Sequence, residues 1–555
     1  MTQRHGTWLA VLAAVGFTTA GLHSQQAPAE PYDVLIRGGR IVDGTGNPWF
    51  QGDVGVRDGR VVAIGPLGDA GAAQVIDATG LVVAPGFIDL HTHSDSRLLE
   101  DGDAHSKVRQ GVTIDVLGEG SSVAPRDGLT GSEWTTFTEY FNLVESQGIS
   151  INAISHVASG QVRRVVMGYD PRPANAEELE RMRALVARSM EEGAWGLVGR
   201  FESGGPDHPE EVIEMAKVVA SYGGNYVTHH GSEGNEQDVE IAFAVRVAEE
   251  VGLPVHIFHL KIRGQDLWPE LEGDVAQIQA ARDRGLDITA NQYPYTAMQH
   301  GWGACFPLWM REGGPEKFAE RLRDAVTDTA MRERVKSDPE FIAWSKEHGW
   351  WEGIVMGAAS TPANRKYEGM SVAEIAKQRG DADPADTIII VMAEDGGRVR
   401  GVFHNQSEEN VQMVMKQPWV APASDGGALN LDAPGFPHPR SYGTNVRVLG
   451  RYVREEKVLT LEDAVRKMSS LPAQILGLRD RGLLREGYAA DVVVFDPQTV
   501  GDTNSYENPK SYAAGVPYVL VNGVIVVDKG EHTGARPGKA IRGAGYRGSG
   551  RSGGI

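Results

Sequence analysis

Two histidines separated by one residue stand at the end of a short apolar segment, in the stretch PGFIDLHTHSD. Side chains two residues apart on a strand point to the same face, so His91 and His93 lie side by side. Paired neutral imidazoles are common ligands of a single metal ion, although two ordinary polar residues at a sheet end give the same pattern. The position favours the metal, because the pair follows a Pro-Gly turn and a buried-type segment, where barrel enzymes build their active sites.

Histidines also end two later apolar segments. In NYVTHH, His229 and His230 alternate in face, so only one of them points into a barrel. In VHIFHLK, His259 and Lys261 share a face opposite to that of His256. Periodicity alone leaves open which face is inward.

The segments that carry these residues alternate short strands with helical patterns between residues 85 and 482. This alternation is typical of a parallel α/β barrel. Gly and Pro bound the predicted helices, which cover residues 176–192, 209–222, 236–251 and 275–284. A helical stretch at residues 301–367, rich in Trp and charged residues, interrupts the alternation of strands and helices and predicts an inserted lid.

Both ends of the chain are rich in strands. Tight hairpin turns are predicted at Asp58-Gly59 and at Asn522-Gly523, each between two alternating runs. We therefore expect residues 30–84 and 483–541 to form one small β-sandwich, and the barrel to cover residues 85–482. The Gly/Ser/Arg-rich residues 542–555 predict a disordered tail.

Composition indicates a large soluble enzyme rather than a binding module. The 555 residues are 41% hydrophobic, which is enough to bury a sizeable core. A formal charge of -20 argues against nucleic acid and anionic membrane partners, which need basic surfaces. Cys305 is the single cysteine, so the chain has neither an intrachain disulfide nor a Cys-based zinc knuckle.

Residues 1–29 are typical of a cleaved signal peptide. Arg4 and His5 precede an apolar stretch at residues 8–20, which is too short for a stable membrane anchor and is followed by polar and small residues. We expect a secreted or periplasmic protein of bacterial type that leaves the membrane after cleavage. A disordered leader is the alternative.

The motifs resemble those of a known family. PGFIDLHTHSD is similar to the first-strand signature of the amidohydrolase superfamily, and NYVTHH and VHIFHLK resemble the fifth- and sixth-strand motifs of its N-acyl-D-amino-acid deacylase (D-aminoacylase) branch. The resemblance covers most of the mature chain. It implies an α/β fold, a distorted TIM (β/α)8 barrel with a small β-sandwich built from both termini. It also implies four histidine ligands of a metal: His91, His93, His229 and His259.

Two carboxylates complete the site that the resemblance implies. Many D-aminoacylases carry a cysteine where this chain has Glu119 in GVTIDVLGEGSS; a carboxylate also bridges two zinc ions, and the alternative is a polar loop residue beside one metal. Asp425 in WVAPASDGGAL matches an aspartate that approaches the metal. In the family this residue takes the proton of the attacking water and hands it to the leaving amine.

The resemblance also implies a binding site for the substrate carboxylate. Arg440 in HPRSYG matches the residue that binds this group, and Lys261 and Tyr293 would complete the site. A surface charge or a packing phenol is the alternative for each, and Tyr295 competes with Tyr293 in YPY. The chain reads Gly231-Ser232-Glu233 where the family commonly has Arg-Asp-Glu, so we expect a different side-chain preference.

The resemblance therefore implies a hydrolase acting on carbon-nitrogen bonds other than peptide bonds in linear amides. It implies an N-acyl-amino acid as substrate, with the D configuration favoured over L and the acyl group left open, and one or two Zn²⁺ ions per subunit or another divalent metal as cofactor. A dipeptidase, or another cyclic or linear amide hydrolase of the same superfamily, is the close alternative. A non-catalytic binding scaffold is the distant one, and the retention of Asp425 beside the ligands speaks against it.

Overall fold

The computed structural model describes residues 31–120, 122–128, 133–201, 208–349 and 351–548. The predicted signal segment at residues 1–29 and the last part of the predicted tail, residues 549–555, lie outside the described residues. Within the described ranges, none of the helices combines the length and the apolar character that crossing a membrane requires.

The described chain starts with strands of a β domain. The β2–β3 hairpin turns at Asp58-Gly59 as predicted, and both turn residues have positive φ, +50° and +72°, which the tight turn requires. The five strands are β1 (Tyr32–Ile41), β2 (Phe50–Arg57), β3 (Arg60–Gly65), β4 (Ala72–Asp77) and β5 (Val82–Pro85).

Alternating strands and helices follow. The strands are β6 (Phe87–Asp89), β7 (Val112–Leu117), β8 (Asn152–Ser155), β9 (Val157–Ala158), β10 (Gly196–Phe201), β11 (Asn225–His230), β12 (Val255–Ile257) and β13 (Ile288–Gln292). The helices are α1 (Arg97–Glu100), α2 (His105–Val108), α3 (Phe137–Gln147), α4 (Ser159–Met167), α5 (Ala176–Glu191), α6 (Pro209–Ser221), α7 (Gln237–Val251) and α8 (Leu271–Asp283).

The four helices predicted in this region are present as α5 to α8. The first three agree with the structure to within one residue at each end. Helix α5 starts where predicted because Asn175 and Glu178 form a capping box. Helix α8 begins at Leu271, earlier than residue 275, because it continues directly from a 3-10 turn at Gln265–Glu270.

An insertion separates β13 from the last barrel strand. Its elements are β14 (Ala297–Gly301), α9 (Leu308–Arg311), α10 (Pro315–Thr327), α11 (Thr329–Lys336), α12 (Pro339–Glu347), β15 (Ile354–Ala358), α13 (Val372–Arg379), α14 (Pro384–Glu394) and β16 (Arg400–His404). It has an apolar core of its own, which includes Trp302, Phe306 and Met392. The predicted boundaries, 301–367, are too narrow, because β14 pairs antiparallel with β16 and so extends the unit to His404.

The barrel is then completed. The remaining elements are α15 (Glu408–Met415), β17 (Val420–Pro422), α16 (Arg440–Arg447), α17 (Leu461–Met468) and α18 (Ser470–Leu476), with a π-helical stretch at Val448–Glu455 after α16. Strands β6-β7-β8 and β9-β10-β11-β12-β13-β17 form two parallel sheets, and β8 and β9 are halves of one strand interrupted at His156. A parallel bridge between Thr92 and Gly426 joins the outer edges. The predicted TIM barrel is confirmed.

The chain returns to the β domain with β18 (Val492–Phe495), β19 (Tyr518–Val521), β20 (Val524–Asp528) and β21 (Glu531–His532). Together with the first five strands they form a nine-stranded sheet, in which β5 joins the N-terminal to the C-terminal strands by pairing with β1 and β18. Val34, Val54 and Val492 share its apolar core. The predicted fold class, with a small β domain built from both termini, is confirmed.

The first part of the predicted disordered tail is ordered. The backbone N–H of Gly543 donates to the carbonyl of Gly193, and that of Arg547 donates to the carbonyl of Glu191. Arg547 also forms a 2.8 Å ion pair with Glu191. Residues 542–548 therefore lie against the end of α5, and the prediction of disorder is wrong for them because the barrel supplies partners for their backbone.

Candidate metal centre

The six predicted metal ligands all lie at the carboxyl ends of barrel strands. His91 and His93 follow β6, Glu119 follows β7, His229 belongs to the end of β11, His259 follows β12, and Asp425 follows β17. This is the end of a parallel barrel at which active sites form. The structure therefore brings together residues that are up to several hundred positions apart in the chain.

His91, His93 and Asp425 form the first group of ligand atoms, all within 4.8 Å of one another. Oδ1 of Asp425 lies 2.8 Å from Nε2 of His93 and 3.5 Å from Nε2 of His91. The imidazole of His91 is fully buried and stacks on Phe258 at 3.8 Å between ring centroids, so packing fixes its plane.

His229, His259 and Glu233 form the second group, with the same 4.8 Å limit. The two imidazoles meet edge to face, with 4.5 Å between their centroids. Oε1 of Glu233 lies 3.4 Å from Nδ1 of His259. Glu233 was not among the predicted ligands. The stretch Gly231-Ser232-Glu233 stands where the family commonly has Arg-Asp-Glu, and Glu233 is the only residue that the two stretches share. This shared glutamate could have indicated a ligand.

Glu119 lies between the two groups. Its Oε2 atom is 3.1 Å from Nδ1 of His93 and 4.0 Å from Nε2 of His91, whereas its Oε1 atom is 3.5 Å from Nε2 of His229. Each carboxylate oxygen thus faces a different group of histidines. This is the geometry in which one carboxylate contacts two metal ions.

Burial keeps three of the histidines neutral. It lowers the pKa of His229 to about 3, and it lowers the pKa values of His91 and His259 well below their ordinary value. Neutral imidazole is the form that binds a metal. These residues are therefore in the protonation state that metal binding needs throughout the physiological pH range.

The carboxylate of Asp425 is held in its ionised form. Burial alone would raise its pKa, but the Arg440 guanidinium and the hydrogen bond from His93 hold the pKa well below its usual range. Nη1 of Arg440 donates a 2.7 Å hydrogen bond to Oδ2 of Asp425. Oδ1 of the same carboxylate faces the histidines, so one oxygen is anchored and the other is presented to the site.

Three of the site residues have strained backbones. Asp425 has a φ of +48°, His259 a φ of +30° and Glu233 a φ of +50°, and non-glycine residues in this region cost about 1–3 kcal/mol each. The N–H of Asp425 donates to the carbonyl of His91 at 2.8 Å, which ties the eighth strand end to the first. Such strain persists only where surrounding contacts hold the conformation.

A chain of buried polar groups holds the strained backbone of His259. Oδ1 of Asn291 accepts a 2.7 Å hydrogen bond from the N–H of His259, and Nδ2 of Asn291 lies 2.8 Å from Nε2 of His256. Nδ1 of His256 in turn lies 2.8 Å from the Thr289 hydroxyl. His256 therefore supports the site from beneath, through Asn291.

The expectation that His256 and His259 point to opposite faces is wrong. Both lie inside the barrel, because β12 ends at Ile257 and the positive φ of His259 turns its side chain inward. Strict alternation holds only while the strand continues. In β11 the strand continues through His229, so the alternation holds there. Val227 lies in the inner apolar cluster with Val198 and Phe258, and His229 shares the inward face of Val227.

A second buried network supports the loop that carries Asp425. Nζ of Lys107 donates to Oδ2 of Asp89 at 2.8 Å and to the Ser424 hydroxyl at 2.7 Å. The N–H of Ser424 also donates to Oδ1 of Asp89 at 2.9 Å. Because Ser424 precedes Asp425, this buried ion pair fixes the backbone that presents the catalytic candidate.

The donor set fits a divalent metal. Both ring nitrogens of His91 and the Nδ1 atom of His229 are buried and have no hydrogen-bond partner within the part of the chain that the structure describes. Leaving such atoms unsatisfied is costly. Imidazole nitrogens with carboxylate oxygens are the ligand types that zinc accepts, and a metal would satisfy Nε2 of His91, the unpartnered nitrogen that faces Asp425.

The predicted substrate-binding residues are all near the site, but they are engaged with protein groups. Nζ of Lys261 is 2.6 Å from Oε1 of Glu233 and 2.8 Å from Nδ1 of His259. The Tyr293 hydroxyl accepts a 3.0 Å hydrogen bond from Gln406, and Tyr293 lines the cavity, whereas Tyr295 is not among its lining residues. Arg440 is 2% exposed behind Asp425 and Tyr293 and is not part of the cavity wall.

A cavity of about 400 Å³ opens above the metal-ligand groups. It continues into an outer chamber of about 940 Å³ beneath the insertion, and the two share Arg200, His229, Glu233, Met298, His300 and Gly301. Gly231 and Ser232 lie in the wall of the outer chamber. The small residues at these positions therefore leave space where the family commonly has a charged pair.

Sequence patterns did not identify the residues that the insertion contributes to the cavity. Met298, His300 and Arg400 come from β14 and β16 and line the cavity. The stretch RVRGVFH reads only as a strand of the inserted unit. Its contact with the barrel depends on how the insertion folds back over the strand ends.

Comparison with known proteins adds independent information. A model of the amidohydrolase family matches residues 74–326 and 372–527. A D-aminoacylase of Alcaligenes xylosoxydans xylosoxydans is 32% identical over 536 residues, which cover 93% of this chain and 99% of the relative.

Solved structures are similar over the same extent. The N-acyl-D-glutamate deacylase of Bordetella bronchiseptica, complexed with zinc and a phosphonate that mimics the tetrahedral intermediate, has a TM-score of 0.76 and 30% identity, covering 92% of this chain and 100% of that one. A D-aminoacylase structure described by its binuclear metal centre has a TM-score of 0.74 and 29% identity, covering 92% and 100%.

Proposed function

Because the chain belongs to the amidohydrolase family, we propose that it hydrolyses the amide bond of N-acyl-D-amino acids, releasing a carboxylic acid and a free D-amino acid. The observation that carries the proposal is the position of Glu119 between two groups of metal ligands, beside the anchored Asp425. Similarity to D-aminoacylase over 93% of the chain supports the choice of reaction and of substrate class.

Zinc is the metal that we propose for the site. His91, His93 and Asp425 would hold one ion, and His229 and His259 would hold a second, with Glu119 in contact with both. When bound, such ions lower the pKa of water toward 7 and polarise a carbonyl group. The N/O donor set and the zinc in the relative's structure support zinc over softer metals.

Asp425 is the proposed general acid and base. Its Oδ1 atom accepts a proton from the water that attacks the scissile carbonyl carbon, and it returns that proton to the amine nitrogen as the carbon-nitrogen bond breaks. Arg440 keeps the accepting carboxylate ionised and oriented through Oδ2. Val198 and Ala158 give the surrounding wall an apolar part.

The cavity fits a small substrate beside the ligands. Its volume of about 400 Å³ lies within the range of about 300–1,000 Å³ that small-molecule pockets occupy. We propose that Lys261, Tyr293 and Arg440 act on the amino-acid part of the substrate. The first two line the cavity, and Arg440 lies directly behind Tyr293.

A longer substrate is the second candidate, because the cavity is continuous with the outer chamber of about 940 Å³. A dipeptide with a D residue would extend from the metal site into this chamber. The reaction would use the same residues and would differ only in the group that occupies the chamber.

Metal analysis combined with an activity screen tests these proposals. The purified protein would be freed of metal, reconstituted with zinc, and assayed on N-acetyl-D-amino acids, on their L enantiomers and on dipeptides that contain D residues. We expect turnover of the N-acetyl-D-amino acids only after zinc is restored. Zinc-loaded protein that is inactive on all three classes would overturn the proposed function.

We also propose that residues 1–29 direct export and are then removed. The apolar stretch at residues 8–20 after Arg4 and His5 supports this. Mass measurement of protein from the periplasmic fraction of an expressing bacterium tests it. A mature chain that retains Met1, or protein confined to the cytoplasm, would contradict the proposal.

A further inference from the structure

The family resemblance assigns two cations, Arg440 and Lys261, to the substrate carboxylate. Each of them already forms an ion pair with a carboxylate of the protein. Arg440 is paired with Asp425 at 2.7 Å, and Lys261 is paired with Glu233 at 2.6 Å. Both side chains are almost completely buried, with exposed fractions of 2% for Arg440 and 4% for Lys261. To bind a substrate, each must share its hydrogen-bonding groups with a carboxylate that it already holds.

Arg400 is a cation in a different situation. It lines the cavity beside the metal ligands, and it is an exposed residue. Within the part of the chain that the structure describes, its side chain has no hydrogen-bond or ion-pair partner. Burial of part of the group and the nearby Arg440 guanidinium lower the pKa of Arg400, whereas Asp425 and Glu119 raise it, so it lies within the electrostatic field of the site.

The insertion fixes the backbone of this residue. Arg400 is the first residue of β16, where it is paired with Gly301 of β14 on one side and with Ala358 of β15 on the other. A central strand with partners on both edges holds its position firmly. The insertion therefore places a guanidinium in the cavity from a rigid element, whereas the metal ligands of the same cavity come from the barrel.

We propose that Arg400 binds a carboxylate of the substrate and so selects anionic substrates. The proposal rests on the proposed function, and it assigns part of the substrate choice to the insertion. A guanidinium presents a planar fork of N–H donors that matches a carboxylate in two parallel hydrogen bonds. A substrate carboxylate would supply the partner that Arg400 lacks within the described chain.

An N-acyl-amino acid can present a carboxylate to Arg400 from two positions. Every such substrate has an α-carboxylate, and an acidic amino acid adds a carboxylate in its side chain. Three substrates of nearly equal shape separate the two positions: N-acetyl-D-glutamate, N-acetyl-D-glutamine, which lacks the side-chain charge, and N-acetyl-D-isoglutamine, which lacks the α charge.

The variants are Arg400→Gln, which keeps length and polarity without charge, and Arg400→Lys, which keeps charge without the fork. Arg365→Gln is the matched control, because Arg365 is exposed on the insertion and does not line the cavity. Zinc content and thermal unfolding of each variant are measured first, so that a folding defect is recognised before kinetics are compared.

We expect Arg400→Gln to reduce kcat/KM on N-acetyl-D-glutamate by about tenfold to a hundredfold, mainly through KM, with Arg400→Lys intermediate and Arg365→Gln unchanged. The substrate that lacks the contacted carboxylate must lose this sensitivity. If N-acetyl-D-glutamine is insensitive, Arg400 contacts the side-chain carboxylate; if N-acetyl-D-isoglutamine is insensitive, it contacts the α-carboxylate. An equal loss on all three substrates, or no loss on any, would overturn the proposal.

Failure of the proposed function is distinguishable from failure of this inference. If the zinc-loaded wild-type protein is inactive on the N-acetyl-D-amino acids, the L enantiomers and the dipeptides of the screen described above, the proposed function fails. Calorimetric titration of the zinc-loaded wild type and of Arg400→Gln with N-acetyl-D-glutamate then tests the residue alone. Binding weakened at least tenfold in the variant supports the inference, and equal binding contradicts it.

Discussion

Nη1 of Arg440 donates a 2.7 Å hydrogen bond to Oδ2 of Asp425, and both groups are buried. This pair leaves Oδ1 of Asp425 facing His91 and His93. Arg440 therefore orients and ionises the residue that we propose as general acid and base. The contact of Arg440 with a substrate carboxylate, which the sequence predicts, stays a prediction.

Arg440→Ala should lower kcat more than it raises KM. Without the guanidinium, Asp425 loses its anchor and the charge that holds its pKa down. We expect a fall in kcat of about tenfold to a hundredfold, since charge-assisted hydrogen bonds contribute roughly 1.5–3 kcal/mol. Steady-state kinetics with zinc-loaded protein measure the two constants. A large rise in KM with unchanged kcat would contradict the role in orienting Asp425 and leave only the proposed contact with the substrate.

Glu119→Gln should reduce the zinc content from two ions per chain to one. A neutral amide lacks the charge that lets one side chain contact both ions. Glu119→Cys is the matched control, because a thiolate is also an anionic zinc ligand, and it should retain two ions. Metal content per chain is measured by elemental analysis after dialysis. Two tightly held ions in Glu119→Gln would exclude the bridging role.

Asn291→Ala should weaken zinc binding by about tenfold to a hundredfold, the usual effect of removing a group that orients a ligand. Oδ1 of Asn291 accepts the N–H of His259, whose φ is +30°. Asn225→Ala is the control, because Asn225 is also buried and hydrogen-bonded to a histidine, His156, away from the ligands. Competition with a chelating dye measures the affinities, and similar affinities in both variants would assign Asn291 a purely structural role.

The stability of the fold should decrease in mild acid. Burial lowers the pKa of His156 from 6.5 to about 4, so the folded state resists a proton that the unfolded chain accepts. The stabilisation is present above pH 6.5 and is lost as the pH falls toward 4, at up to about 1.4 kcal/mol per pH unit for this one group.

His156→Gln isolates this contribution, because glutamine does not titrate. Urea unfolding at several pH values should give a smaller loss of free energy between pH 6.5 and 4 for the variant than for the wild type. Equal slopes would mean that His156 is not held neutral in the folded protein.

The sequence predicts much of the barrel because its signals are local. The pair His91 and His93 follows a short apolar segment, and the strand alternation that ends at His229 survives in β11. The same rule fails at His259, where a positive φ ends the alternation. That turn depends on Asn291 of the next strand, which no local pattern reveals.

Long-range pairing sets the features that the sequence does not predict. The insertion ends at His404 because that residue pairs with Ala297, more than a hundred positions earlier. The sequence pointed to Arg440 as a cation for the substrate, yet folding pairs it with Asp425. Arg400 has no motif around it, and only the placement of β16 beside the barrel mouth makes it part of the cavity.

Turnover by Asp425→Asn tests the central claim most directly. Asparagine keeps the shape and an oxygen near His93, but it does not accept a proton from water at neutral pH. With zinc content equal to that of the wild type, kcat on an N-acetyl-D-amino acid should fall by about a hundredfold to ten-thousandfold, the range that a general acid/base contributes. An unchanged kcat in zinc-loaded Asp425→Asn would contradict the account.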